Sequence, residues 1–123
     1  MYESLVLVGR LGADPESRFT PAGDQVTNFS VAVNTRWTDK AGESQDRVSW
    51  YRVACWGRLA EVTNQYLSKG RMVMVTAKRI VAEPYLDKEG KPRAALKVTA
   101  DAVKFLDAAD SDRSAREPGE MPF

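Results

Sequence analysis

The feature that most limits the fold of this chain is a two-residue alternation of apolar and polar side chains. It recurs over Tyr2 to Leu11, Val26 to Arg36, Arg47 to Trp56, Arg71 to Ala82 and Arg93 to Phe105. A period of two marks a half-buried strand, because successive side chains leave the pleat on opposite faces. The pattern predicts five strands. Between the third and fourth, Leu59, Val62, Tyr66 and Leu67 recur at helical spacing and Gly70 stands where a C-terminal cap belongs, which predicts one helix. Turn chemistry separates these segments at Asp14-Pro15, Pro21-Ala22-Gly23-Asp24, Asp39-Lys40-Ala41-Gly42 and Asp87-Lys88-Glu89-Gly90. The last of these is read as a hairpin tip.

Three strands, one helix and two more strands is the order of an all-β, five-stranded Greek-key barrel of the OB-fold kind, whose strand face and loops often bind nucleic acid. Fold alone does not establish function. At 123 residues and 43% apolar content the chain suffices for one core and is too short for two ordinary domains. The alternation stops at Leu106, so residues 1–106 are read as one domain and 107–123 as a tail. The tail consists of Ala, Asp, Ser, Arg, Glu, Pro and Gly as far as Met121, a composition expected to stay disordered. Charge divides at the same place: residues 1–106 carry 16 Lys/Arg against 12 Asp/Glu, whereas 107–123 carry Arg113 and Arg116 against five acids. A net of +4 on the body suggests a polyanionic partner, and −3 on the tail suggests a separate interaction element.

Several function classes drop out. Histidine is absent, which removes His-dependent nucleophile activation and every imidazole-ligated metal site. Cys55 is the single cysteine, so no intramolecular disulfide or thiolate cluster is available, as fits a reducing compartment. No stretch approaches a membrane span, and Met1 to Arg10 lacks a basic leader and an apolar signal core, so a soluble cytoplasmic protein is expected. A carboxylate-and-magnesium nuclease is the surviving enzyme hypothesis. Its candidate acids, Asp14, Asp24, Asp39, Asp46 and Asp87, are scattered through separate turns, where turn formation explains them more simply. The reading is therefore a non-catalytic protein without metal or cofactor.

Along the third predicted strand the alternation puts Val48, Trp50, Arg52, Ala54 and Trp56 on one face and Ser49, Tyr51, Val53 and Cys55 on the other. Isolated strand tryptophans are more often core residues. Arg52 between them argues for an open face, because a buried unpaired guanidinium is costly. Binding a single strand without reading its sequence needs flat aromatic platforms for bases and cations for phosphates. This face offers both. Trp37, among polar neighbours at the end of the second strand, is expected in an exposed loop, and Tyr85 in the arm of the last hairpin supplies a fourth platform.

The segments Leu5-Val6-Leu7-Val8-Gly9-Arg10-Leu11-Gly12-Ala13-Asp14-Pro15-Glu16 and Trp56-Gly57-Arg58-Leu59-Ala60-Glu61-Val62, followed by Tyr66-Leu67-Ser68-Lys69-Gly70-Arg71, resemble bacterial single-stranded DNA-binding proteins. The resemblance covers residues 2–106. It implies base stacking on Trp37, Trp50, Trp56 and Tyr85, and phosphate contacts from Arg18, Lys40, Arg52, Arg58 and Lys69, with Arg10, Arg36, Lys78 and Arg79 as weaker candidates. It further implies a homotetramer, nucleoid-associated in the cytoplasm, that coats DNA in replication, recombination and repair. Three departures stand out: Tyr51 replaces a histidine common at the family's subunit contact; Val81-Ala82-Glu83-Pro84 is neutral to acidic where the family is commonly basic; and the tail tip has fewer acids than usual. That tip, Glu117 and Glu120 with Met121-Pro122-Phe123, is the expected docking element for partner proteins. An RNA-binding or primosomal accessory OB protein is the alternative, and the acidic apolar tip speaks against it.

Overall fold

Alternating strands must exchange their backbone hydrogen bonds with neighbours, and the order in which they do so here closes the sheet on itself. The computed structural model describes residues 1–107. Its elements are β1 (Leu5–Leu11), β2 (Glu16–Phe19), β3 (Gln25–Thr38), β4 (Ser44–Trp56), α1 (Arg58–Tyr66), β5 (Met72–Leu86) and β6 (Pro92–Phe105). The sheet runs β1-β5-β6-β4-β3-β2, and an additional β1–β3 pairing joins its first strand back to β3. Five strands thus form a closed barrel, the expected OB-fold, and the short β2 lies along β3 as a sixth. Neighbours are antiparallel except β4 and β6, which run parallel from Tyr51↔Leu96 to Ala54↔Thr99.

Closure depends on β1, which pairs with β5 from Leu5↔Ala77 to Arg10↔Met72 and turns its last two residues to β3 at Arg10↔Ala32 and Leu11↔Val31. Gly9 sits at this crossing. A Cβ there would run into the Ala32 carbonyl oxygen and lie 2.7 Å from Val31 Cγ1. Inward-facing Leu7, Leu11, Phe29, Val31, Val53, Cys55, Val73, Val75 and Val98 fill the barrel. Burial pushes the Cys55 thiol up to about 11, although a hydrogen bond with Thr63 acts the other way, so this cysteine is an inert core residue.

Helix α1, where the spacing predicts one, covers one end of the barrel. Ala60 and Thr63 are its buried positions, Leu59 and Val62 are half-buried, and Tyr66 is exposed, its ring 6.4 Å from that of Phe105. Small residues face inward because the helix is drawn close: Thr27 Oγ1 on β3 donates to the Ala60 carbonyl at 2.6 Å. Gly70 is not the cap. The helix stops at Leu67, which turns extended, and Gly70 (φ 88) forms the following turn, its amide donating to the Leu11 carbonyl at 2.9 Å.

Two long hairpin arms rise from the barrel, β3–β4 and β5–β6, and their tips are built alike. At each tip an aspartate side chain accepts the amides two and four residues ahead: Asp39 Oδ1 from Ala41 and Glu43, and Asp87 Oδ1 from Glu89 and Lys91, all at 2.9 Å. Gly42 (φ 80) and Gly90 (φ 79) supply the left-handed residue of each turn. Amide donation, led by Glu43 and Lys91 respectively, holds both carboxyls below the usual carboxylate range. These acids are spent on turn formation, as the sequence suggested. The β5–β6 register slips between Lys78 and Val81, where Arg79 adopts φ 55, and the arm continues beyond this irregularity.

No helix among the described residues is long and apolar enough to cross a membrane. The proposed partner-binding residues Glu117, Glu120, Met121, Pro122 and Phe123, with the expected disorder of their tether, lie outside the described residues. Since the Gly9 crossing leaves no space, Gly9→Ala is expected to lower the free energy of unfolding by about 1–3 kcal/mol, the usual cost of overpacking. Urea denaturation checks this, and an unchanged midpoint would mean that β1 can shift without cost.

Candidate nucleic-acid interface

The outward face is fixed by register. β3 and β4 pair without interruption from Val26↔Trp56 to Thr38↔Ser44, so Trp56, Ala54, Arg52, Trp50 and Val48 share one face with Val26, Asn28, Ser30, Ala32 and Asn34. On the other side of β4, Lys97 pairs with Arg52 and Thr99 with Ala54. Beyond β6, Val81, Glu83 and Tyr85 pair with Lys97, Ala95 and Arg93 and carry the face onto β5. At the opposite margin, Arg18 of β2 stands against Val26. One surface therefore crosses five strands and brings together Trp50, Trp56, Tyr85, Arg52 and Arg18 from the sequence-predicted set. The alternate residues Tyr51, Val53 and Cys55 pack against or within the core.

The aromatic rings on this face are half-exposed, at 47% for Trp50, 47% for Trp56 and 38% for Tyr85, so each keeps surface on which a base can stack. Trp50 lies directly against Gly12, where a Cβ would be 2.6 Å from its Cζ3. The glycine just after β1 is thus the floor on which that ring rests. Arg52 is held between its neighbours: Nη1 contacts Glu83 Oε1 at 2.8 Å, and the guanidinium carbon stands 5.7 Å from the Tyr85 ring centroid. Arg52 also lines a groove of about 330 Å³ whose other polar residues include Asp14, Glu16, Arg18, Asn28 and Lys97.

Trp37 is placed differently. It lies within β3 and not in a loop, opposite Gln45, and its parity puts it on the reverse of the arm from Trp50. Arg47 stands over its ring, 5.2 Å from the centroid. The strand continues because Asn34 to Thr38 find partners in Ser44 to Val48. Lys40 occupies the tip of the same arm, Arg58 begins α1 two residues after Trp56, and Lys69 follows α1 with its amide bonded to Asp14 Oδ1 at 2.8 Å. All three are exposed margins of the face, not its centre. Among the weaker candidates, Arg10 binds the Gly70 carbonyl at 2.8 Å and approaches Asp107 at 3.4 Å, while Lys78 pairs with Asp101 at 2.9 Å. Among the described residues there is no group of three or more His, Cys, Asp or Glu able to hold a metal ion.

Residues 2–106 match the sequence profile described as the single-strand binding protein family. This chain belongs to that family. Over 102 residues it is 40% identical to the single-stranded DNA-binding protein of Neisseria meningitidis serogroup A, a match covering 83% of this chain and 58% of that protein. Over 117 residues it is 34% identical to the single-stranded DNA-binding protein of Wolinella succinogenes, covering 95% and 72%. The chain thus spans less than two thirds of the length of the Neisseria relative. The solved Plasmodium falciparum SSB complex with ssDNA superposes with a TM-score of 0.72 at 25% identity, covering 87% of this chain and 97% of that one.

Within this single-strand binding protein fold, three residues of the face escaped the sequence reading. Lys97 and Arg93 are placed there by β6, whose neighbours could not be read from its own alternation, and Arg93 Nε donates to Asp87 Oδ2 at 3.0 Å. Gly12 went unnoticed as a support because its role depends on Trp50 crossing above it. Substituting Gly12→Ala should displace the Trp50 ring while the barrel still folds, since the obstacle is the edge of a side chain. In a Trp37→Phe, Trp56→Phe background the Trp50 emission maximum is expected to shift with the melting temperature little changed; an unaltered spectrum would mean that the ring does not rest on residue 12.

Proposed function

We propose that this chain is a non-catalytic, sequence-independent single-stranded DNA-binding protein. The observation that carries this reading is the single outward face holding Trp50, Trp56 and Tyr85 with Arg52, Arg18 and Lys97 among them. Half-exposed rings accept bases by stacking whatever the base, because every base has a π-face, and cations between them neutralise the backbone. Duplex bases are already stacked and are poor ligands for such a face. Lys40, Arg58 and Lys69 extend the positive rim, and Trp37 with Arg47 over its ring forms a second platform on the reverse of the β3–β4 arm. Membership of the single-strand binding protein family and the likeness to a structure solved with ssDNA support the same substrate class.

The test is a tryptophan-fluorescence titration with oligo-dT, oligo-rU and duplex DNA of equal length. Strong quenching by oligo-dT, with Trp50→Ala and Trp56→Ala each weakening binding by about 1–3 kcal/mol and leaving thermal unfolding intact, is the expected result. Equal affinity for duplex DNA would overturn the proposal, and a preference for oligo-rU would favour an RNA-binding accessory protein.

In the cell the protein is proposed to assemble as a homotetramer, associate with the nucleoid and protect unpaired DNA during replication, recombination and repair. Its tip, Glu117, Glu120, Met121, Pro122 and Phe123, is proposed to recruit partner proteins: Met121 and Phe123 offer apolar side chains, and Glu117 and Glu120 carboxylates, to an apolar pocket rimmed by Arg or Lys. Deleting residues 117–123 should leave DNA affinity unchanged or slightly higher while abolishing partner capture in pull-downs on oligo-dT. Identical sets of captured replication and repair proteins with and without the tip would refute the tip's role.

A further inference from the structure

Most charged residues on a surface proposed to bind DNA are basic, yet Glu83 stands on this one, between Val81 and Tyr85 of β5. It is not a turn former like Asp39 or Asp87, and it closes no hairpin. Its carboxylate reaches across β6, the strand between β5 and β4, to meet Arg52 Nη1 at 2.8 Å. Ala95, the small residue paired with Glu83 on the intervening strand, is 4% exposed although it belongs to the outward face. Ser30, Trp50, Arg52, Tyr85 and Ala95 line one shallow concavity here, so the arginine of the ion pair shares a depression with both aromatic platforms, its guanidinium 5.7 Å from the Tyr85 ring centroid.

We infer that Glu83 is a built-in competitor for the nucleic-acid backbone: its carboxylate occupies Arg52 in the unbound protein and is exchanged for a phosphate when a strand bridges Trp50 and Tyr85. The inference rests on the proposed single-strand binding face. Both partners are substantially exposed, 52% for the Arg52 side chain and 37% for that of Glu83, and such a pair contributes little to stability. It can therefore open at low cost. An arginine fork donates to carboxylate and phosphate oxygens in the same geometry, so one anion replaces the other without a rotamer search. While Glu83 holds it, Arg52 is pre-positioned over the Tyr85 ring and shielded from Lys97, its cross-strand neighbour of like charge. Glu83 is a positioning residue in this scheme. It keeps Arg52 extended along the strand path, and it lowers affinity by requiring that an existing ion pair be broken for each strand bound.

The exchange has a signature in salt dependence. A phosphate that meets an unpaired cation releases a counterion, about 0.7 in the slope of log K against log salt for single strands. A phosphate that displaces Glu83 leaves a carboxylate behind, so the slope gains less. Oligo-dT affinities measured from low to moderate salt for the wild type, Glu83→Gln, Glu83→Ala, Arg52→Gln and the Arg52→Gln, Glu83→Gln double variant decide the matter. The expected result is that both Glu83 variants bind about two- to fivefold more tightly at low salt, the scale of an exposed ion pair. Their slope should be steeper by up to about 0.7, and the gain should vanish in the Arg52→Gln background. Unchanged affinity and slope in both Glu83 variants overturn the inference. So does a gain that persists without Arg52, because Glu83 would then act only as a nearby negative charge. If Arg52→Gln and Trp50→Ala both leave binding untouched, it is the face itself that has been wrongly assigned, an outcome separable from failure at Glu83.

Discussion

The whole structure depends on the closure of the barrel at β1. A seven-residue strand, Leu5–Leu11, satisfies two edges at once by pairing with β5 along most of its length and with β3 at its end. Neither β3 nor β5 is left with a long unpaired edge beside a hydrophobic interior, the condition that invites strand addition from other chains. The bend needs a residue without a side chain where two backbones approach, and Gly9 supplies it. Every other relation follows from that closure: the end that α1 must cover, the parallel neighbourhood of β4 and β6, and the arms that extend the outward face.

On that scaffold, interior and exterior are separated by parity alone. The inward residues of β4 are Val53 and Cys55, and the outward ones are Arg52 and Trp56, so one strand builds the core and the candidate interface together. This coupling makes the interface stiff. A strand whose alternate residues are locked in a close-packed core cannot slip by one position without burying Arg52 and exposing Val53. The aromatic platforms inherit their spacing from the barrel, and Gly12 beneath Trp50 shows how far the backbone itself shapes the surface. Electrostatics add a more adjustable layer: the ion pairs Arg52–Glu83, Arg93–Asp87 and Lys78–Asp101 all join partly exposed groups and can exchange partners without disturbing the core.

Much of this was legible in the chain. Alternation located five strands, and the placement of Arg52 between two tryptophans identified the open side of β4. What escaped notice did so for physical reasons. β2, Glu-Ser-Arg-Phe, is too short and too polar to show a period, and exists because β3 offers it an edge. The sequence alone puts Trp37 in a loop because an arm exposed on both faces carries no apolar contrast, although its backbone is paired throughout. In α1 the spacing of Leu59, Val62, Tyr66 and Leu67 marks the helix, but not that Thr27 draws it against the barrel end so closely that the small residues Ala60 and Thr63 are buried with Leu67.

The division is between local and distant relations. Sequence by itself determined which segments are extended, which residues of each share a face, and that a face with tryptophans and arginine points outward, because pleat geometry and the cost of burying an unpaired guanidinium act within a few residues. Only the tertiary structure decided that β6 lies between β4 and β5, and hence that Lys97 stands beside Arg52, that Tyr85 and Trp50 line one concavity, and that Glu83 reaches Arg52 across an alanine. Strand order is set by how the barrel closes, a condition on the whole chain that no single segment carries.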